Sequence, residues 1–262
     1  MTNRSAQSQL SGQFVSFDTL ASIKTPPPTE TYAPVGHAEL IDMVQENAEA
    51  YLPGYVFKDE AHALSPTSGE NYGNKAFSVL TYGHEDFEHI GLSIGIRNSY
   101  DQSLAVGVCM GAQVFVCDNL CFSGEIRVTR KHTGDVRTDV ENLLESAIYQ
   151  APAKHIQIAN DMDLMKSIDI TDDEAWAILG MGYGREILKT RQLLVARNSW
   201  IKPPQEDFTD RNLWSLYNAF TEALKSSTAR DVMENHVASH ELIMGDGMAL
   251  LGVKGPGVEL LV

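Results

Sequence analysis

Cysteine is scarce in this chain of 262 residues: there are three, Cys109, Cys117 and Cys121. So few thiols, and an odd number of them, exclude a disulfide-dense framework and fit a reducing compartment, so a cytoplasmic location is expected. Long apolar runs are also missing. The longest weakly apolar stretch, Ser103 to Cys117, is interrupted at Gln113 and is too short to cross a bilayer. The opening "MTNRSAQSQLSGQF" lacks the apolar segment of a signal peptide. Basic charge is short as well, with 20 Lys and Arg against 35 Asp and Glu and a net charge of −15. That balance excludes a uniformly basic nucleic-acid binder.

The few cations are not spread evenly. "RVTRKHTGDVR" carries Arg127, Arg130, Lys131 and Arg137, and "REILKTRQLLVARNSWIK" carries Arg185, Lys189, Arg191, Arg197 and Lys202. Two basic strips on an acidic body can still concentrate a phosphate backbone locally; two solvated faces are the plainer reading of the same residues.

Periodicity divides the chain. Residues 1–36, with "KTPPPTETYAPVG", read as a flexible arm rich in Pro, Ser and Thr. His37 to Tyr51 places Leu40, Ile41, Val44 and Ala48 on one helical face. From Tyr55 the period falls to two. Ile90, Leu92, Ile94 and Ile96 alternate with Gly91, Ser93, Gly95 and Arg97, and Leu104, Val106, Val108 and Met110 repeat the pattern. "NSYDQ" joins these two strands as a hairpin turn, and "QVFVC" and "GEIRVT" read as two further strands. The glycine-bearing side of the sheet must face a close neighbour, a helix or a ligand.

After Gly134 the helical period returns, with Val136, Val140, Leu143, Leu144, Ala147 and Ile148 in one stripe. "TDDE" at Thr171 has the spacing of a capping box, and Leu213, Leu216, Tyr217, Phe220 and Leu224 mark a strong helix. A last helix is expected over Ala229 to Met244. The expected architecture is α+β: an antiparallel β meander flanked by helices, with a mostly helical C-terminal half. A single domain spans 37–244, with helix and sheet over 37–132, helices over 133–244, and a Gly-rich tail at 245–262.

Chemical motifs are weak. Cys117 and Cys121 with His132 lack a fourth zinc ligand. His84 and His89 have the wrong spacing for a helical metalloprotease pair, while His236 and His240 stand one helical turn apart and want a third ligand. "GMGYG" at Gly180 follows a helix, not a strand, so it reads as a helix ending. A nucleophile at Ser99 or Cys117 with His132 and Asp101 has no nucleophile-elbow spacing to support it. No cofactor and no metal are expected.

"RNSYDQS", "VFVCDN", "GEIRVTRKHTGD" and "NLWSLYNAFTEAL", in that order, resemble the signatures of the phage and plasmid family called domain of unknown function 932. The resemblance covers roughly residues 75–225. Its motif positions here are Asn98, Ser99, Asp101, Ser103, Cys117, Asn119, His132 and Gly134, followed by Trp214, Tyr217, Asn218, Thr221 and Glu222. Tyr100 and Leu120 depart from the family pattern, standing where His and Gly are usual. The resemblance implies a mobile-element setting and leaves the activity open.

Three readings follow. The first is a non-enzymatic, homo-oligomeric protein that handles single-stranded nucleic acid through Arg97, Arg127, Arg130, Lys131 and Arg137, with Tyr100 and Phe122 for base stacking. Its helix–meander–helix order is similar to that of strand-annealing recombination proteins. The second is an acidic DNA mimic that captures a host protein. The third is a hydrolase or nuclease built on Asn98, Asp101, Cys117, Asn119 and His132. Beneath all three lies a structural expectation, that Asn98, Ser99, Asp101 and Asn119 satisfy local backbone groups and Cys117 acts as a small hydrophobe.

Overall fold

The computed structural model describes residues 13–114, 120–131, 136–227 and 231–253, with residues 113–114 and 120–130 in their backbone alone. The expected α+β architecture is present. Six strands form one antiparallel meander in the order β1 to β6: β1 Gln13–Val15, β2 Val56–Ser65, β3 Lys75–Gly83, β4 Ile90–Ser99, β5 Val106–Val114 and β6 Leu120–Arg130. Helices α1 (Phe17–Ala21) and α2 (His37–Tyr51) precede most of the sheet. Helices α3 (Val136–Lys166), α4 (Asp172–Gly184), α5 (Thr190–Ile201), α6 (Leu213–Leu224), α7 (Val232–Leu242) and α8 (Met248–Leu250) follow it.

Alternation in β4 and β5 does what its period predicts. Leu92, Ile94, Ile96, Val106, Val108 and Met110 point into one core, where they meet Leu40, Ile41, Val44 and Ala48 of α2 and Val136, Val140, Leu144 and Ile148 of α3. Leu143 of the expected α3 stripe is 42% exposed instead. Each fully buried Leu, Ile or Val contributes about 1.5–3 kcal/mol relative to exposure, so this face dominates the stability of the sheet. The opposite face carries Ala61, Ala63, Phe77, Val79 and Cys109, and α7 covers it with Val232 and Met233. The close neighbour required by the glycine-bearing face is therefore a helix.

Helix α3 is the spine of the molecule. Its residues through Ala151 belong to the sheet-face core, and Ile158 to Met165 belong to a second core built from α4, α5, α6 and α7. Pro152 falls at the junction, where it has no N–H to offer the carbonyl of Ile148. Helix α6 lies at the centre of the second core, with Leu213, Leu216, Tyr217, Phe220 and Leu224 all fully buried. Its N-cap Asn212 accepts the Ser215 N–H at 2.9 Å. At α4 the capping box forms as expected: the Thr171 hydroxyl accepts the Glu174 N–H at 3.3 Å, and the Glu174 carboxylate accepts the Thr171 N–H at 2.7 Å.

Four expectations need correction. The arm over residues 1–36 carries structure from Gln13 onward: β1 adds to the edge of β2, and Leu20, Tyr32 and Val35 are buried. Apolar and aromatic residues inside the Pro-rich stretch supplied burial that its composition concealed. Gln113 and Val114 of "QVFVC" complete β5 rather than opening a strand of their own, and Phe115 to Cys117 lie outside the described residues. The tail, described as far as residue 253, continues the helical core through a π turn at Ile243–Gly247 and α8, with Met248 fully buried. Helix α5 was not anticipated, because its charges masked the buried spacing of Gln192, Ala196 and Trp200.

The glycines of "GMGYG" close α4 as expected, and they are not equivalent. A Cβ on Gly182 would lie 2.6 Å from Phe220 of α6, whereas on Gly180 it would meet nothing within 4 Å. Gly182→Ala should therefore cost about 1–3 kcal/mol by overpacking, and Gly180→Ala should stabilise by about 0.5–1 kcal/mol through helix propensity. Urea denaturation of the two variants beside the wild type measures both signs.

Candidate functional site

Of the candidate residues, Asn98 and Ser99 belong to a buried polar knot at one end of the sheet. Asn98 donates from Nδ2 to the Val35 carbonyl at 2.8 Å and reaches His37 Nδ1 at 3.0 Å. The other His37 nitrogen, Nε2, lies 2.9 Å from the Gly73 carbonyl. A carbonyl can only accept, so Nε2 carries the proton and Nδ1 receives the Asn98 amide. The Tyr100 ring stacks on His37 with centroids 3.9 Å apart, and its hydroxyl accepts the His37 N–H at 2.9 Å. The Tyr32 hydroxyl donates to the Tyr100 carbonyl at 3.1 Å. Ser99 serves the turn: its hydroxyl donates to the Leu104 carbonyl and accepts the Leu104 N–H, at 2.9 and 3.0 Å.

Asp101 also serves the turn, with Oδ1 accepting the Ser103 N–H at 3.0 Å and Oδ2 lying 3.3 Å from the Lys75 ammonium. Burial alone would raise its carboxyl, but Ser103 and Lys75 together hold it below the ordinary value. Ser103 itself lines a cavity of about 340 Å³ with Tyr32, Gln102 and Lys131. Cys117, Asn119, His132 and Gly134 lie outside the described residues.

The expected nucleic-acid residues separate. Arg97 is buried, and its guanidinium meets both carboxylate oxygens of Glu234 on α7 at 2.9 Å. It crosses β5 above Gly107, where a Cβ would come within 2.8 Å of Arg97 Nε. Arg97 therefore fastens a helix to the sheet and cannot face a phosphate. Tyr100 is 8% exposed, which removes it as a stacking platform. Arg137 bridges Glu39 and Glu141 on the surface. Lys131 is exposed, while the side chains of Arg127, Arg130 and Phe122 lie outside the described residues.

The second basic strip forms a coherent surface that the candidate residues above did not include. Arg191, Leu194, Val195, Arg197, Ile201 and Lys202 are exposed on α5, whose sequence holds no acid. Leu194 is 55% and Ile201 46% exposed. Beside this face, Arg197 sits 5.9 Å from the centroid of the Trp176 ring, and Tyr183 at the end of α4 is 47% exposed. Arg185 and Lys189 are matched by Asp246 and Asp231 at 2.7 and 3.3 Å. A cavity of about 680 Å³ opens next to this face, between the end of α4, the start of α5 and α7. The observable signal was the alternation of cations with apolar residues at helical spacing.

Other polar clusters are internal. His240 Nε2 lies 3.1 Å from Asp161 on α3, and His236 is fully buried one turn earlier. Among the described residues no group of three or more His, Cys, Asp and Glu side chains comes together as a metal site. Among them, too, no helix is long and apolar enough to cross a membrane. His84 and His89 fall in the β3–β4 connection, as a charged turn should. His155 of α3 is fully buried, with Nδ1 3.1 Å from the Tyr55 hydroxyl and its ring 4.5 Å from Phe87. Comparison with family models, curated proteins and solved structures returned no match to this chain.

Two predictions follow from these networks. Ser99→Ala strands the Leu104 amide and carbonyl in a buried turn and should cost about 1–3 kcal/mol, while Asp101→Ala, partly solvated, should cost about 1 kcal/mol; calorimetric melting of both variants tests the order. Burial pushes the His155 imidazole down to about 4, against about 6.5 in the unfolded chain. The unfolded state thus binds the extra proton, so this contribution is complete above pH 6.5 and is lost as pH falls toward 4. Its size is about 2–3 kcal/mol. His62, also lowered by burial, acts in the same direction. Unfolding free energy should drop between pH 6.5 and 4, and His155→Gln should flatten that slope.

Proposed function

We propose that this is a non-enzymatic protein of mobile genetic elements that engages single-stranded nucleic acid through the α4–α5 face. The observation that carries the reading is the outward side of α5, where Arg191, Arg197 and Lys202 are exposed with no carboxylate on the helix, beside Tyr183 and Trp176. Cations that track a backbone and rings that stack on bases are the two components of sequence-tolerant strand binding. The exposed Leu194, Val195 and Ile201 add apolar surface against which unpaired bases lie more favourably than a hydrated duplex backbone. The mobile-element setting rests on the motif resemblance. The non-enzymatic reading is supported by Ser99, whose hydroxyl is used within the turn, and by Asn98, whose amide nitrogen is held by Val35 and His37.

Fluorescence anisotropy with single- and double-stranded oligonucleotides over a salt series tests this. The wild type should prefer single strands and lose affinity steeply with salt. Arg191→Glu with Arg197→Glu and Lys202→Glu should abolish binding, and neutral substitution of the three should lower the log–log salt slope by about 2, at about 0.7 per phosphate. Arg137→Glu should bind as the wild type does. Salt-independent binding, or binding by the triple charge reversal, contradicts the reading.

A second reading has an observation of its own. Asp42, Glu46 and Glu49 on α2, and Glu141 and Glu145 on α3, are exposed on two helices packed against each other. Such a layer suits an acidic DNA mimic that captures a basic host protein. That reading requires no affinity for oligonucleotides at any salt concentration.

A further inference from the structure

The cavity beside α5 has a composition that a backbone-tracking surface does not need. Its wall is the Tyr183 ring, and its polar groups are Glu186, Lys189, Asp231 and Asn235. At about 680 Å³ it lies within the range of small-molecule sites and has room for a nucleotide. Asp231 and Lys189 offset each other at 3.3 Å, so Glu186 sets the sign of the cavity and the backbone stays outside with the α5 cations. What a carboxylate accepts is a donor-bearing edge, and guanine alone among the common bases presents two adjacent N–H groups, N1–H and N2–H, on its pairing edge.

Two details of the chain point the same way. Glu186 follows the end of α4 with φ of +60°, a left-handed position that glycine or asparagine ordinarily fills. Its N–H bonds the Tyr183 carbonyl at 3.0 Å, and Ile187 and Leu188 both bond the Gly182 carbonyl, so the turn holds a carboxylate at the cavity at a conformational cost. Gly184, in contrast, has no left-handed φ, and a Cβ there would meet nothing within 4 Å. The position therefore accepts a side chain without strain, and one placed there enters the space that Gly184 lines.

We propose that this cavity is a base-reading pocket that admits one guanine of the bound strand, stacked on Tyr183 and read by the Glu186 carboxylate with Asn235, while Asp231 stays on Lys189 and the phosphate remains outside with the α5 cations. This rests on the strand-binding reading of α5 and adds a sequence preference to it.

Isothermal titration of the full chain with GMP, AMP, CMP and UMP separates the two ideas. GMP should bind at least tenfold more tightly than the other three. Gly184→Leu, which fills the cavity, and Glu186→Gln, which removes an acceptor carboxylate, should each weaken GMP at least tenfold with unchanged melting temperature. Anisotropy should show an oligothymidine containing one guanosine binding more tightly than oligothymidine alone, a difference that Gly184→Leu erases. Equal binding of the four nucleotides, no GMP binding, or wild-type GMP affinity in a folded Gly184→Leu protein overturns the pocket. Strand binding without GMP binding overturns the pocket and leaves the α5 reading standing. GMP binding by a protein that takes no oligonucleotide does the reverse.

Discussion

The neutral imidazole of His37 is the point on which three separated parts of the chain close. Its Nε2 is directed at Gly73 before β3, its Nδ1 takes the amide of Asn98 at the end of β4, and its own backbone N–H binds the Tyr100 hydroxyl in the β4–β5 turn. His37 is also the first residue of α2, so this knot sets where α2 begins above the sheet. The α2 face of Leu40, Ile41, Val44 and Ala48 then lands on Leu92, Ile94 and Ile96. Protonating the ring would add a second N–H facing the Asn98 amide, donor against donor, in a buried setting where such a mismatch is costly. The arrangement therefore favours one tautomer and one chain path together.

Much of the fold was legible because its signals are local. The alternation at Ile90–Ile96, the capping box at Thr171 and the apolar spacing of α6 each report a period that needs no partner to be recognised. Strands β2 and β3 were harder to separate. Every residue of β3 from Ala76 to Gly83 is buried, and burial on both faces erases the alternation that marks a half-exposed strand. Ser99 and Asp101 were readable as turn residues since their partners, Leu104 and Ser103, are five and two residues away.

Asn98 and Arg97 were not readable, for the opposite reason. Asn98 binds groups 63 and 61 residues earlier in the chain, and Arg97 binds Glu234 at a separation of 137 residues. Sequence periodicity carries no information about such pairings. Gly107 shows where the limit falls: a glycine-bearing face asks for a close neighbour, but not for the arginine that crosses it to reach α7. An arginine beside a turn looks like a phosphate ligand until a carboxylate from the far end of the chain is found across from it. The α5 cations differ because no acid shares their helix, a property that is local and was present in the sequence all along.

The distribution of charge also decides what kind of binding α5 can support. With a net charge of −15, the molecule as a whole repels a polyanion at long range. That repulsion is screened beyond about 8 Å at physiological ionic strength, so it slows approach more than it weakens contact. Once a strand is within that distance, Arg191, Arg197 and Lys202 act at short range, and the exposed Leu194, Val195 and Ile201 contribute without regard to salt. In the proposed complex such a surface would gain little from electrostatic steering and would hold a strand by contact. The three cations would set its salt dependence, and stacking and apolar contacts would add a preference for unstacked single strands over duplex, whose bases are already buried against one another.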